Sequence, residues 1–122
     1  MKKILFIEDE PALQEALGEA LKQSSYAVVK ATDGDSGLRL AKSELPDLIL
    51  LDLIMPNKDG YEVLEDLKND LATNRIPVIV LTNLEGMKDI EKAIAAGATN
   101  YLVKTRYELG ELIEKIKKIL GE

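Results

Sequence analysis

Five short apolar runs, each followed by a stretch with helical spacing, constrain the fold of this chain more than any other feature. The runs cover residues 4–7, 26–31, 48–51, 78–81 and 101–103. Short runs of Ile, Leu and Val are typical of buried strands, and the third run is apolar on both faces, as a central parallel strand requires. The stretches between them place apolar residues three and four positions apart, which predicts amphipathic helices.

Residues that typically begin or end helices support the prediction of five helices. Pro11 stands where a first helical turn tolerates proline, Asp33 is suited to cap the second helix, and Gly97 is suited to end the fourth. The apolar residues predicted to face inward are, helix by helix, Leu13, Ala16, Leu17, Ala20 and Leu21; Leu38, Ala41 and Leu45; Tyr61, Leu64, Leu67 and Leu71; Met87, Ile90 and Ile94; and Leu109, Leu112, Ile113, Ile116 and Ile119.

Strand–helix alternation of this kind predicts an α/β fold made of five βα units. Right-handed crossovers would join parallel strands into one doubly wound sheet with helices on both faces. The 122 residues are enough to bury a core, and no linker or repeat divides them. We therefore expect one domain over residues 1–122.

Composition excludes several kinds of chemistry. The chain has no cysteine and no histidine, so disulfides, zinc–thiolate sites, imidazole bases and Ser-His triads are excluded. A net charge of −6 argues against a surface that binds nucleic acid. No apolar run approaches the roughly 20 residues that a membrane-spanning helix needs. A cytoplasmic protein with no membrane association is the expectation.

Polar residues with compatible chemistry stand at four of the predicted strand ends. Glu8 and Asp9 follow the first strand, Asp52 ends the third, Thr82 follows the fourth and Lys104 follows the fifth. Open α/β sheets bind ligands just outside the carboxyl ends of their strands. If the strand order is 2-1-3-4-5, the three acids converge on one crevice.

Three neighbouring carboxylates require compensating positive charge. Lys104 supplies one charge and leaves about −2, a deficit that a hard divalent cation fits; Mg²⁺ is favoured because it keeps several waters and takes few protein carboxylates. Asp52 beside Mg²⁺ could act as a nucleophile on phosphorus. Taken singly, each residue has an ordinary alternative: Asp52 and Thr82 as helix caps, Glu8 and Asp9 as first-turn acids, Lys104 as a surface residue.

Four sequence motifs occur in a specific order along the chain. They are ILFIEDEP at residues 4–11, DLILLDLIMPNKDG at 47–60, PVIVLT at 77–82, and Gly97-Ala98 leading to YLVK at 101–104. With these motifs the chain resembles, over essentially its whole length, the receiver domain of two-component response regulators, of the single-domain chemotaxis-receiver kind. The resemblance implies a flavodoxin-like receiver fold with strand order 2-1-3-4-5.

The resemblance also implies site roles. Asp52 matches the phosphoacceptor, Asp9 a direct Mg²⁺ ligand, Glu8 a ligand acting through water, and the backbone carbonyl of Ile54 a third protein ligand. Lys104 matches the lysine that pairs with the phosphoryl group. No organic cofactor is implied.

A switch follows from the same resemblance. Thr82 matches the switch hydroxyl and Tyr101 the switch aromatic, and phosphorylation would alter the surface formed by the fourth helix, fifth strand and fifth helix. A histidine kinase or phosphotransfer protein would be the donor, and an unidentified downstream protein the target. Such a domain is a regulator and not an enzyme, although self-catalysed phosphoryl transfer and slow self-dephosphorylation are expected.

Two other functions compete with this one. An unphosphorylated pseudo-receiver would use the same fold as a protein-interaction module. A dehalogenase-type phosphatase needs a second acid two residues after the nucleophile, where this chain has Ile54.

Three residues depart from the family pattern. Glu8 stands where Asp is commoner, Asn83 where a small residue is usual, and Thr105 where Pro usually follows a cis peptide bond. Asn83 is expected to crowd the phosphoryl site. Because a cis bond before a non-proline residue costs ~2.5–4 kcal/mol, we expect a trans Lys104–Thr105 bond and a rearranged loop to Tyr107. If that rearrangement displaced Lys104, its contact with the phosphoryl group would be lost.

Overall fold

All five predicted strands pair in parallel. The computed structural model describes residues 1–122, and its sheet has the order β2-β1-β3-β4-β5. The strands are β1 Lys3–Ile7, β2 Ala27–Ala31, β3 Leu48–Leu51, β4 Val78–Thr82 and β5 Asn100–Val103; the helices are α1 Pro11–Gln23, α2 Gly34–Glu44, α3 Gly60–Asn69, α4 Met87–Ala95 and α5 Leu109–Ile119, with a 3₁₀ turn at Lys104–Arg106. The predicted fold class and strand order are confirmed.

The strand register brings the carboxyl ends level with one another. Ile7, the last residue of β1, pairs with Ala31 of β2 and with Leu51 of β3. Thr82, the last residue of β4, pairs with Val103 of β5. The residues that follow these strands therefore emerge side by side at one edge of the sheet.

Two apolar layers cover the two sheet faces, since neighbouring residues of a strand point to opposite sides. One layer packs strand residues such as Leu5 and Ile49 against α2, α3 and α4. The other packs Ile4, Phe6 and Leu50 against α1 and α5. None of the helices combines the length and apolar character needed to cross a membrane.

Several helix residues predicted to face inward do not. Leu45 (56% exposed) lies at the carboxyl end of α2, and Leu71 (91% exposed) lies beyond the end of α3. Ala16 on α1 and Leu109 at the start of α5 are also exposed. These predictions are wrong for one of two reasons. The apolar spacing either continues past the end of the helix, or extends around the helix beyond the strip that contacts the sheet.

The orientation of α4 was also predicted wrongly. Met87 and Ile94 are exposed, and Ala93 is the buried residue of this helix. At about 100° per residue, Met87 lies about 120° and Ile94 about 100° around the helix from Ala93. The helix therefore contacts the sheet through a narrow strip and leaves much of its apolar face open. Its carboxyl end is as predicted: the helix runs to Ala95, and Gly97 terminates it with φ 109°.

A left-handed backbone at Leu45 yields a stability prediction. Leu45 has φ 44° although it carries a side chain, and that conformation costs an L-residue roughly 1–2 kcal/mol. Leu45→Gly is expected to raise the free energy of unfolding by about 0.5–1 kcal/mol, after allowing for the greater chain entropy of glycine when unfolded. Urea denaturation measures the change. Leu71→Gly is the control, because Leu71 is exposed without a positive φ; equal gains in both variants would contradict the prediction.

Candidate functional site

The three acids converge at the carboxyl edge of the sheet. The Asp52 backbone N–H donates to the Ile7 carbonyl at 3.1 Å, so Asp52 lies beside the end of β1, where Glu8 and Asp9 follow. One carboxylate oxygen from each acid lies within 4.8 Å of the others. Glu8 and Asp52 are buried, whereas Asp9 is exposed. The three side chains thus present oxygen donors from two buried groups and one that solvent reaches.

Lys104 joins the two buried acids. Its Nζ lies 2.6 Å from Glu8 Oε1 and 3.0 Å from Asp52 Oδ2, and the side chain is only 12% exposed. The structure contains no cis peptide bond, so the Lys104–Thr105 bond is trans as predicted. The trans bond does not displace Lys104: the residue begins a 3₁₀ turn, and its amine still lies at both acids.

The loop after β3 is held close to Asp52. The Ile54 N–H donates to Asp52 Oδ1 at 3.2 Å, and Gly60 N–H donates to the Leu53 carbonyl at 3.0 Å. A Cβ on Gly60 would lie 2.4 Å from the Asp52 carbonyl oxygen, so only glycine permits this close approach. The backbone of Ile54 consequently lies next to the acids, although no contact in the structure assigns its carbonyl a role.

Thr82 and Tyr101 are linked through the segment that follows β4. Thr82 is fully buried at the end of β4, and its Oγ1 lies 3.5 Å from the Leu84 N–H. The Tyr101 hydroxyl, from the neighbouring β5, donates to the Leu84 carbonyl at 2.8 Å. Asn83, which lies between Thr82 and Leu84 in the sequence, is exposed. One backbone residue, Leu84, therefore contacts both side chains.

Two polar contributors were missed from the sequence. Glu10 Oε2 lies 3.8 Å from the Lys104 amine, and the Glu10 N–H donates to Glu8 Oε2 at 3.1 Å. Gln14 is buried on α1 and bonds to the carbonyl of Glu8. The available signal was a polar residue on the helix face that also carries Leu17 and Leu21.

Burial controls the ionisation of this cluster. Desolvation raises the pKa of Glu8 from its ordinary 4.5 to about 7, although the hydrogen bond from Lys104 opposes that rise and the charge of Asp52 adds to it. Burial lowers the pKa of Lys104, but its bonds to Glu8 and Asp52 outweigh burial, so the pKa is raised overall. Lys104 therefore stays cationic, and burial makes Glu8 retain its proton to a higher pH than an ordinary glutamate does.

A pH dependence follows for the metal-free protein. The raised pKa means that folded Glu8 binds a proton that the unfolded chain has already released, so stability falls as pH rises from 4.5 toward 7. We expect the free energy of unfolding in chelator to drop by about 1–3 kcal/mol across that window and then level off. Urea denaturation at several pH values measures it.

Two variants isolate that effect. Glu8→Gln should remove the slope, because it carries no proton to lose. Glu15→Gln, which changes an exposed acid on α1, should keep it. An unchanged slope in Glu8→Gln would assign the pH dependence to another group.

The donor set fits a hard divalent cation. Three carboxylates and one lysine leave about two negative charges, and all the available ligand atoms are oxygens, which Mg²⁺ prefers. The exposure of Asp9 gives a cation and its waters access. Buried Glu8 resists ionisation unless a second cation lies nearby, which is a physical reason to expect a bound cation.

The chain is similar to known proteins over most of its length. Residues 4–117 match the response regulator receiver domain. The chain is 37% identical over 120 residues to the DNA-binding dual master transcriptional regulator RpaA of Synechocystis, covering 98% of this chain and 49% of RpaA. It is 35% identical over 104 residues to the protein PilH of Pseudomonas aeruginosa, covering 85% of this chain and 86% of PilH. The chain thus spans about half the length of RpaA but most of PilH.

One of the similar solved structures contains a metal ion. The receiver domain of sensor histidine kinase PA1611 from Pseudomonas aeruginosa, with a magnesium ion coordinated in its active-site cleft, superposes with a TM-score of 0.90 at 30% identity, covering 99% of this chain and 98% of that one. Fold and site together define a phosphoacceptor regulator class and not a conventional enzyme. The chain belongs to the response regulator receiver domain family of two-component systems.

Proposed function

We propose that this domain accepts a phosphoryl group on Asp52 in a Mg²⁺-dependent reaction and so works as a signalling switch. The observation that carries the proposal is the placement of buried Asp52 between the Lys104 amine, at 3.0 Å, and the acids Glu8 and Asp9. A histidine kinase or a phosphotransfer protein would be the donor. Since kinases draw the group from ATP, the proposed compartment is the cytoplasm.

The chemistry is nucleophilic attack by a carboxylate on phosphorus. An Asp52 oxygen forms the new O–P bond while the bond from phosphorus to the donor breaks and the donor leaves with that electron pair. Lys104, already at the carboxylate, neutralises charge on the phosphoryl oxygens. Asp9, Asp52 and the Ile54 carbonyl would hold Mg²⁺, with Glu8 acting through water. The metal supplies charge neutralisation and orientation when bound.

The switch uses Thr82, Leu84 and Tyr101. A phosphoryl group on Asp52 adds acceptor oxygens and a charge of about −1.5 to −2 at the carboxyl edge. The Thr82 hydroxyl would turn toward those oxygens and draw the following segment with it. Because the Tyr101 hydroxyl bonds to the Leu84 carbonyl, the movement would reach Tyr101 and the surface formed by α4, β5 and α5. An unidentified downstream protein would bind that surface.

Intact mass after incubation with acetyl phosphate tests the proposal. We expect one phosphoryl mass to be added in Mg²⁺ and none in chelator. Slow loss of the added mass would report self-dephosphorylation. If Mg²⁺ binds but no mass is added, Asn83→Ala decides between a crowded entrance, where the variant is phosphorylated, and an unphosphorylated pseudo-receiver, where it is not.

A further inference from the structure

On the buried side of α1, the Gln14 amide nitrogen lies against three backbone carbonyls near the carboxyl ends of β1 and β2. Its Nε2 lies 2.8 Å from the Ala31 oxygen, 2.9 Å from the Glu8 oxygen and 3.3 Å from the Phe6 oxygen. The side chain is 6% exposed, and no protein donor meets its Oε1. All the polar contacts of this side chain therefore come from its amide nitrogen.

One of those carbonyls belongs to the peptide between the two acids. The Glu8 carbonyl belongs to the planar peptide group that joins Glu8 to Asp9, so a hydrogen bond to it fixes the orientation of that peptide. The Glu8 N–H donates to the Ala31 carbonyl at 2.9 Å, and Gln14 bonds to that same oxygen. The side chain thus ties the end of β1 to the end of β2 at the point where the acids begin.

The chemistry of the position requires a neutral donor of this length. Leucine at residue 14 would fill a similar volume but leave the Glu8 carbonyl without this buried partner, and an unpaired buried polar group is unfavourable. Glutamate would set a negative charge against three carbonyl oxygens. Asparagine is one methylene shorter and would not reach all of them.

We propose that Gln14 is a positioning residue for the cation site, holding the Glu8–Asp9 peptide so that both carboxylates converge with Asp52. The inference rests on the Mg²⁺ binding proposed above. Gln14 does not touch the cation or the phosphoryl group and acts through the backbone of the acids. Groups that orient metal ligands in this way typically change metal affinity 10–100-fold when removed.

Calorimetric titration with Mg²⁺ alone tests the inference in the full chain. Gln14→Leu is expected to raise the Mg²⁺ Kd about 10-fold or more, and Gln14→Asn to give a smaller rise. Thr73→Val is the matched control, since buried Thr73 also donates to one backbone carbonyl, that of Leu67 at 2.7 Å, but lies beyond α3 away from the acids. Its Kd should stay near the wild-type value.

The outcomes separate the inference from the proposed function. Wild-type protein that does not bind Mg²⁺ would refute both. Normal wild-type binding with an unchanged Kd in Gln14→Leu, or an equal rise in Thr73→Val, would refute the positioning role alone. Circular dichroism shows which variants are folded, and if Gln14→Leu is not, Gln14→Asn decides by the same criterion.

Discussion

Asp52→Asn is expected to take up no phosphoryl group from acetyl phosphate under conditions that phosphorylate the wild-type domain. The substitution preserves shape and leaves an amide oxygen able to accept from Lys104, but a neutral amide is a poor nucleophile toward phosphorus. It also removes a charge that contributes to the raised pKa of Glu8. The fold should therefore be retained while the reaction is lost. Intact mass measures the added phosphoryl group directly.

The control separates Asp52 from acids in general. Asp35→Asn changes an exposed carboxylate in the first turn of α2 and should be phosphorylated like the wild type. Phosphoryl mass on Asp52→Asn, mapped by fragmentation to Glu8 or Asp9, would show that the acceptor was assigned to the wrong acid. Loss in both variants would indicate a general effect of charge and not the removal of a nucleophile.

The site was predictable from the sequence because it depends on strand ends. Asp52, Thr82 and Lys104 directly follow or end apolar runs, and parallel strands bring such positions to one edge whatever the helices do. Glu8 and Asp9 were predictable for the same reason, because they directly follow the first apolar run. What the sequence pattern could not give was the strand order, which the family resemblance implied and the pairing of β1 with β3 confirmed.

Helix surfaces were less predictable. Met87 and Ile94 keep the spacing of an inward face, yet α4 contacts the sheet through Ala93, because spacing identifies an apolar face without saying how wide the contact will be. The contact of Gln14 with the Glu8 carbonyl depends on how α1 crosses β1, which residue spacing does not specify. Lys104 begins a turn in which Thr105 replaces the family's proline, so the position of its amine did not follow from the sequence.

Lys104→Met is expected to destabilise the metal-free domain strongly and to make its stability depend on Mg²⁺. The amine forms the ion pairs of both Glu8 and Asp52, whose side chains are at most 6% exposed. Removing one partner of a buried pair typically costs about 3–5 kcal/mol, since the remaining charge is left uncompensated. The loss should be smaller at low pH, where Glu8, whose pKa burial raises to about 7 even with Lys104 present, takes up a proton in place of the missing cation.

Magnesium should reverse much of that loss. With Lys104 gone, three acids carry one more uncompensated negative charge, so Mg²⁺ binds the folded state more tightly and stabilises it by mass action. Urea denaturation in chelator and in saturating Mg²⁺ measures both effects. Lys3→Met is the control, because its pair with Glu44 is about one-third exposed on each side and should contribute less than about 1 kcal/mol in either condition. If Lys104→Met matched Lys3→Met in chelator, the lysine would not be what holds the acids together, and the charge argument for a divalent cation at this edge would lose its basis.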